Sequence, residues 1–234
     1  MSEALNTRPR RGRRPKTAMP AEGPSTADQN RMEVLQAAAT AFMQNGYAAT
    51  SIDTVAEVLG ATKGRVYYYY RSKADLFFDV HREAMTINLN VIGPLATADL
   101  PPREKLRNMV VAHCYLVMDH YPFQRVSTQG VELHLTGATT PDQRRTLKKL
   151  IEMRDEYEGH FLSVLQEGIE RGEFRFSDPR IVVKAMLGAL NWMTLWYRPR
   201  SGETVETRRK IANEHADFVL MGVEGARPEK QSSR

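Results

Sequence analysis

The stretch Thr50-Ser51-Ile52-Asp53-Thr54-Val55-Ala56-Glu57-Val58-Leu59-Gly60, followed at once by Ala61-Thr62-Lys63-Gly64-Arg65-Val66-Tyr67-Tyr68-Tyr69-Tyr70, decides the fold. In its first half Ile52, Val55, Ala56 and Leu59 recur at helical spacing and form one apolar face. Thr50 or Ser51 caps the start of this helix with a hydroxyl, and Gly60 ends it. A shorter helix begins at Lys63 after a tight turn. A helix advances about 100° per residue, so four consecutive tyrosines sweep most of its circumference and cannot all be core. Val66 and Tyr70, four apart, share the face that packs inward. Lys63, Arg65, Tyr68 and Tyr69 lie largely elsewhere. Residues 58–74 contain four cations, Lys63, Arg65, Arg71 and Lys73, and no acid.

The same regularity extends outward on both sides. From Asp28 the apolar residues Val34, Leu35, Ala38, Ala41 and Phe42 follow helical spacing, and Gly46 is placed to end that helix. Ser72 opens a fourth helix that begins Lys73-Ala74-Asp75-Leu76-Phe77. A short helix presenting cations and phenols suits the major groove of duplex DNA. Phenol hydroxyls and a helix N-terminus suit phosphate oxygens. The plainer reading is a helical hairpin with a solvated basic face. The sustained spacing weighs against it.

The stretch Asp28–Val80 resembles the DNA-binding head of the tetracycline-repressor (TetR) family of bacterial regulators. The resemblance is carried by Gly46-Tyr47, Thr50-Ser51, Ile52, Val55-Ala56, Gly60, Thr62-Lys63-Gly64, Tyr67, Tyr69 and Ser72-Lys73. It implies base contacts from Lys63, Gly64 and Arg65, and phosphate contacts from Thr50, Tyr67, Tyr68, Tyr69 and Lys73. Ser51 and Thr62, at the starts of the two helices, belong to the same DNA-binding set. Thr62 stands where serine is commoner, Tyr70 where phenylalanine is usual, and Arg65 where a small residue is frequent. Arginine pairs with guanine O6 and N7 through two hydrogen bonds, and equally well clamps a phosphate. The sequence leaves both roles for Arg65 open.

Charge points the same way. The chain has 234 residues and a formal net charge of +5. Residues 1–17 hold six cations, Arg8, Arg10, Arg11, Arg13, Arg14 and Lys16, against the single acid Glu3, so this tail carries the whole excess. The remaining 27 basic and 27 acidic residues balance. Residues 1–27, with Pro9, Pro15, Pro20 and Pro24 and little to bury, read as a disordered basic arm. Arg11-Gly12-Arg13-Arg14-Pro15 resembles a minor-groove arm, and a plain solvated tail is the alternative.

Other classes find little support. No apolar run reaches the roughly 18 residues that a membrane helix needs, and no apolar leader stands at the N-terminus. A polybasic membrane-surface protein would want an apolar anchor beside its tail, and would leave the head motif unexplained. Cys114 is the single cysteine, so there is no disulfide framework and no CxxC site. The histidines are scattered; His113 and His120 share a helix face near Cys114 with no acid at ligand spacing. HExxH, P-loop and GxGxxG motifs are missing. A helical cytoplasmic enzyme is therefore the weaker alternative, and no cofactor or metal is expected. The simplest compartment is a bacterial cytoplasm, at the nucleoid when DNA is bound.

Beyond residue 80 the pattern stays helical. Helix 4 is expected to run to about Val91, with Gly93-Pro94 and Pro101-Pro102 marking a loop. Segments follow at 103–120, 123–134, 141–171, 178–197 and 204–222, with Tyr121-Pro122 as a break. Sustained alternation is absent, so the fold class is all-α. The expected order is the arm (1–27), a helix-turn-helix head (28–80), a larger helical effector and dimerisation domain (81–224) and a disordered tail (225–234).

In segment 141–171, Leu147, Leu150, Ile151, Tyr157, Phe161, Val164 and Leu165 repeat with a period near 3.6, and Arg154 falls inside that stripe. It either pairs with Glu158 or Glu132, snorkels outward, or meets an anionic ligand. Segment 178–197 is apolar nearly all round, and Ile211, His215, Phe218, Val219 and Gly222 make one stripe on the last helix. Two helices with surplus apolar surface imply a homodimer through a four-helix bundle.

Arg154-Asp155-Glu156-Tyr157, the run Gly168 to Phe174, and Asn191-Trp192 with Trp196-Tyr197-Arg198-Pro199 resemble regulators of fatty-acid and steroid breakdown. Such proteins tend to sense acyl-CoA thioesters. On that resemblance Met109, His113, Met118, Arg154, Tyr157, Phe161, Met186, Asn191 and Trp192 are candidates to line an effector cavity, with plain core packing as the other reading. The expected function is a sequence-specific DNA-binding transcriptional regulator. It would act as a repressor released from a palindromic duplex operator by a small molecule.

Overall fold

Ser25 starts the first helix. Its hydroxyl accepts a hydrogen bond from the Asp28 backbone N–H at 3.2 Å, and the Asp28 carboxylate reaches back to the Ser25 N–H, a reciprocal cap. The computed structural model describes residues 25–136 and 140–224, without the side chains of 130–136. Helix α1 spans Thr26–Ala49, broken near its end by Gly46 at φ 75°. Ser51 then caps α2 (Ile52–Leu59) by accepting from the Thr54 N–H at 3.0 Å. Gly60 closes it in the left-handed region, φ 67°, which a side chain would resist. Helix α3 is Lys63–Tyr69, and Ser72 caps α4, Lys73–Ala96. There follow α5 (Pro102–Asp119), α6 (Tyr121–Thr136), α7 (Pro141–Glu170), α8 (Pro179–Trp196) and α9 (Val205–Glu224). No strand occurs among the described residues.

Two cores form. The smaller gathers Val34, Leu35 and Phe42 of α1, Val55 of α2, Val66 of α3 and Leu76, Phe77 and Val80 of α4. Phe123 and Val126 of α6 close it from below. The larger joins Met85 and Ile92 of α4 to Leu106 and Met109 of α5, Phe161 and Leu165 of α7, Leu190 and Met193 of α8 and Leu220 of α9. Helix α4 is therefore a rod with one end in each core.

Three expectations need correction. Helix α4 does not stop near Val91 but runs through Gly93-Pro94 to Ala96. Pro94 removes one backbone bond, to the carbonyl of Asn90, an exposed residue. The Thr97 N–H and hydroxyl both return to the Gly93 carbonyl at 3.2 Å and finish the turn. The break expected at Tyr121-Pro122 falls one residue earlier, at His120, and Pro122 sits in the first turn of α6, where its missing N–H has no partner to lose. On α9 the expected stripe divides: Val219 turns inward with Ala212, Ala216, Leu220 and Val223, whereas Phe218 and Gly222 are exposed. The basic run Arg8–Lys16, and with it Arg11-Gly12-Arg13-Arg14-Pro15, lies outside the described residues, as do 225–234.

The end of α7 is tightly fitted. Phe174 folds back, its N–H on the Gly168 carbonyl at 3.0 Å, and its ring packs against Gly168. A Cβ there would sit 2.0 Å from a ring carbon. Gly168→Ala is expected to cost about 2–3 kcal/mol through overpacking. In a thermal melt followed by circular dichroism, Tm should drop by about 5–10 °C. An unchanged Tm would mean the Phe174 ring moves freely.

Candidate nucleic-acid interface

Val66 and Tyr70 of α3 are buried against the head core, as their spacing predicts. That fixes the rotation of the helix and turns Thr62, Lys63, Gly64, Tyr67 and Tyr68 to solvent. Tyr68 is 81% exposed, its ring and hydroxyl open to solvent. Tyr69 is half-buried, its ring edge-on to Tyr68 at 4.8 Å. Lys63 lies 3.6 Å from Asp53 of α2, with both side chains solvated. Ser51 is exposed at the start of α2.

Thr50 and Lys73 stand apart from this surface. Thr50 is 2% exposed, and its hydroxyl donates to the carbonyls of Gly46 at 2.7 Å and Ala41 at 3.2 Å. It fastens the α1–α2 corner. The Lys73 ammonium donates to the carbonyls of Tyr47 at 2.8 Å and Ala48 at 3.2 Å, and lies 4.5 Å above the Tyr47 ring. It braces the same corner from α4. Arg65 turns toward α1, where Nη2 donates to Asn30 Oδ1 at 3.1 Å and to the Glu33 carboxylate.

The sequence reading missed Asp79. This buried acid accepts from the Tyr70 hydroxyl at 2.6 Å and from Arg31 of α1, and its other oxygen accepts from Arg82. Burial first, then the Asp79 carboxylate, pushes the Tyr70 phenol up. One carboxylate thus ties the end of α3 to α1 and α4. A signal existed: Asp79 shares a helix face with Leu76 and Val80, and an acid on an apolar face demands partners.

A cavity of about 510 Å3 opens between α4, α6, α7 and α8. Arg154, Tyr157 and Asn191 line it, as proposed from the sequence; Met85, Asn88, Gln124 and Lys184 also line it and were not anticipated. Met109, Met118, Phe161 and Met186 are packed in the core instead, and Trp192 faces outward. His113 is buried behind the wall, its Nδ1 2.7 Å from the Tyr157 hydroxyl. The cavity wall is consequently more polar than a row of methionines and aromatics would make it.

Asn88 and Gln124 pair their amides reciprocally, at 2.7 and 3.2 Å, and clamp α4 to α6. Arg154 reaches solvent within the cavity, yet its walls strip enough water to lower its pKa, which Asp155 and Glu158 partly offset. Glu158 is taken by Lys184 at 2.7 Å, and Arg154 has no hydrogen bond or ion pair among the described residues. The Glu132 side chain lies outside them.

A second surface lies on α8 and α9. Trp192, Phe218 and Met221 are 62%, 63% and 70% exposed, and the small residues Gly188 and Ala189 lie open beside them. Trp196 stacks on His215 at 5.8 Å along the same face.

A short cationic, phenol-rich helix held proud of a small core, joined through α4 and the start of α6 to a helical body with a cavity, defines a two-part helix-turn-helix regulator. Comparison with known proteins agrees. Residues 34–80 match the model for bacterial regulatory proteins of the tetR family, and residues 99–223 match the tetracyclin repressor-like C-terminal domain. The chain belongs to the tetracycline-repressor family. It is 26% identical over 208 residues to the HTH-type transcriptional repressor KstR2 of Rhodococcus jostii, covering 88% of this chain and 97% of that one. It resembles the structure of PfmR, a regulator of Thermus thermophilus, with a TM-score of 0.68 and 28% identity over 80% of this chain and 96% of that one. AibR, solved with isovaleryl coenzyme A and operator DNA, shares the fold at a TM-score of 0.66 and 19% identity, over 83% of this chain and 97% of that one.

Proposed function

We propose that the chain is a dimeric repressor that reads a palindromic duplex through α3 and leaves it when a coenzyme A thioester fills the cavity. The observation that carries the reading is the outward edge of α3, where Thr62, Lys63, Gly64, Tyr67 and Tyr68 are all exposed. Lys63 and Gly64 approach base edges. Ser51, Thr62 and the Tyr67, Tyr68 and Tyr69 hydroxyls meet phosphates. Thr50 and Lys73 act one step behind, by holding the α1–α2 corner that positions them. The exposed α8–α9 face is the dimer surface, and two heads related by a two-fold axis match two half-sites. Residues 28–80 form the reading unit and 81–224 the sensing and dimerising unit. Such a protein works in the cytoplasm and needs no reaction of its own.

The effector class rests on two supports. One is the likeness to KstR2 and to AibR, the latter holding an acyl-CoA in its structure. The other is the cavity itself: Arg154 without a partner among the described residues, beside Lys184 and a set of amides, offers donors to an anionic thioester. The test is selection of bound duplexes from random DNA, then salt titration and challenge with an acyl-CoA panel. We expect one palindrome, bound by a dimer, with affinity falling steeply as salt rises. At least one thioester should weaken it more than tenfold. Equal binding to scrambled DNA would remove the reading head, and indifference to every thioester would remove the effector class alone.

A further inference from the structure

Arg65 is held by the head more closely than Lys63, whose solvated ion pair with Asp53 spans 3.6 Å. Its two contacts, Asn30 Oδ1 at 3.1 Å and the Glu33 carboxylate, both fall on Nη2. A guanidinium has two hydrogen-bonding edges, one shared by Nη1 and Nη2 and one by Nε and Nη2. Nη2 belongs to both. With Glu33 and Asn30 on that nitrogen, neither edge offers a free pair of donors, and a bidentate acceptor engages Arg65 only by displacing them.

Magnitudes decide which DNA contacts do so. Arg65 and Glu33 are both partly solvated, and an exposed ion pair of this kind shifts an equilibrium by a few-fold at most. A phosphate, even gripped through two oxygens, sits on the solvated rim of the duplex and exchanges one exposed anionic partner of Arg65 for another, so it gains little by replacing Glu33. Guanine O6 and N7 together favour their arginine over a wrong base by roughly five- to 150-fold. That exceeds the hold of Glu33.

We propose that Glu33 is a specificity-determining residue: it keeps Arg65 off the phosphate backbone of nonspecific DNA and yields it only to a guanine presented in the right place. The inference rests on the reading of α3 as the DNA-facing helix, and it settles on the guanine-reading role of Arg65. Asn30 supports the hold as a neutral second acceptor.

The experiment is a double-mutant cycle of Glu33→Gln and Arg65→Ala, using the duplex recovered by selection and a scrambled duplex of equal length. Arg65→Ala alone should weaken the selected duplex about tenfold, relax its preference at one guanine, and change scrambled binding less than twofold. Glu33→Gln should tighten scrambled binding about threefold or more and steepen its salt slope by about one phosphate's worth. Both gains should vanish in the double variant, because they need the released arginine. Asn30→Ala should move scrambled binding in the same direction by a smaller factor. The idea is overturned if Arg65→Ala weakens both duplexes alike, since Arg65 is then a backbone clamp despite Glu33. It is equally overturned if the Glu33→Gln gain survives in the double variant, since that gain is then mere loss of a negative charge. In either case the selected duplex stays preferred and the function proposed above stands. If selection yields no preferred duplex, both fall.

Discussion

Trp192→Asp combined with Phe218→Asp should leave a folded chain that sediments as a monomer and binds its selected duplex at least a hundredfold more weakly. Both side chains are more than half exposed on the α8–α9 face, so neither supports the monomer's core, and circular dichroism should be unchanged. Carboxylates facing each other across a two-fold axis would repel in an apolar interface, and each would lose water without gaining a partner. Once the heads are separate, the second half-site is no longer an intramolecular event, and linked binding of this type is worth about 10^2–10^4 in affinity. Analytical ultracentrifugation and a binding titration on the same sample check the two halves together. A dimer that survives both aspartates would move the interface elsewhere.

The second large effect is acid sensitivity. His81 and His113 are buried, and each is pushed down to about 4, by burial first and then by Arg154 for His81 and by His215 for His113. Among the described residues neither ring nitrogen of His81 has a hydrogen-bond partner, while the Leu190 backbone partly offsets the shift at His113. In the unfolded chain a histidine titrates near 6.5. Between pH 6.5 and about 4 the unfolded state therefore takes up protons that the folded state refuses, and stability falls as pH falls. The loss levels off below about 4, where the folded histidines also charge. At about 1.4 kcal/mol per unit, each site contributes a loss of about 3 kcal/mol across that window. Set against a typical stability of roughly 5–15 kcal/mol, the pair is a major fraction. Urea midpoints at pH 6.5, 5.75 and 5.0 should decline steadily for the native chain and less for His81→Leu with His113→Gln. Equal slopes in both proteins would sink the assignment.

How far the sequence reached is best seen at particular residues. The head was legible almost residue by residue, because capping hydroxyls, Gly46, Gly60 and a short apolar repeat are local signals whose meaning hardly depends on distant contacts. The order of the remaining helices was legible for the same reason. Pro94 misled, since a proline near a helix end removes only one bond and reads from sequence as a stop, whereas Pro122, in a first turn, loses none and marked the α5–α6 break to within two residues. The cavity was the least legible part. Phe161 shares a helix face with Tyr157, and Met109 and Met186 lie on the inward faces of α5 and α8; periodicity tells which face turns inward but not where inward packing leaves a gap. Lys184 and Gln124 reach that gap from α8 and α6, a meeting that only the tertiary arrangement creates. Glu33 was invisible for a related reason, since it matters through a partner on another helix, whereas Asp79 showed itself only as an acid on an apolar face and its partners stayed hidden.

Helix α4 has an engineering consequence. Because Phe77 and Val80 near one end and Met85 and Ile92 further along are locked into different cores of the same rod, there is no flexible joint at which to cut and rejoin the two parts. Anyone building a biosensor by grafting this reading head onto a foreign sensor should carry the rod across whole. The foreign body must then be repacked around Met85 and Ile92, and Phe123 and Val126 must travel with the graft as its floor. A splice made at residue 80 should yield a hybrid with two loose halves and no signal passing between them.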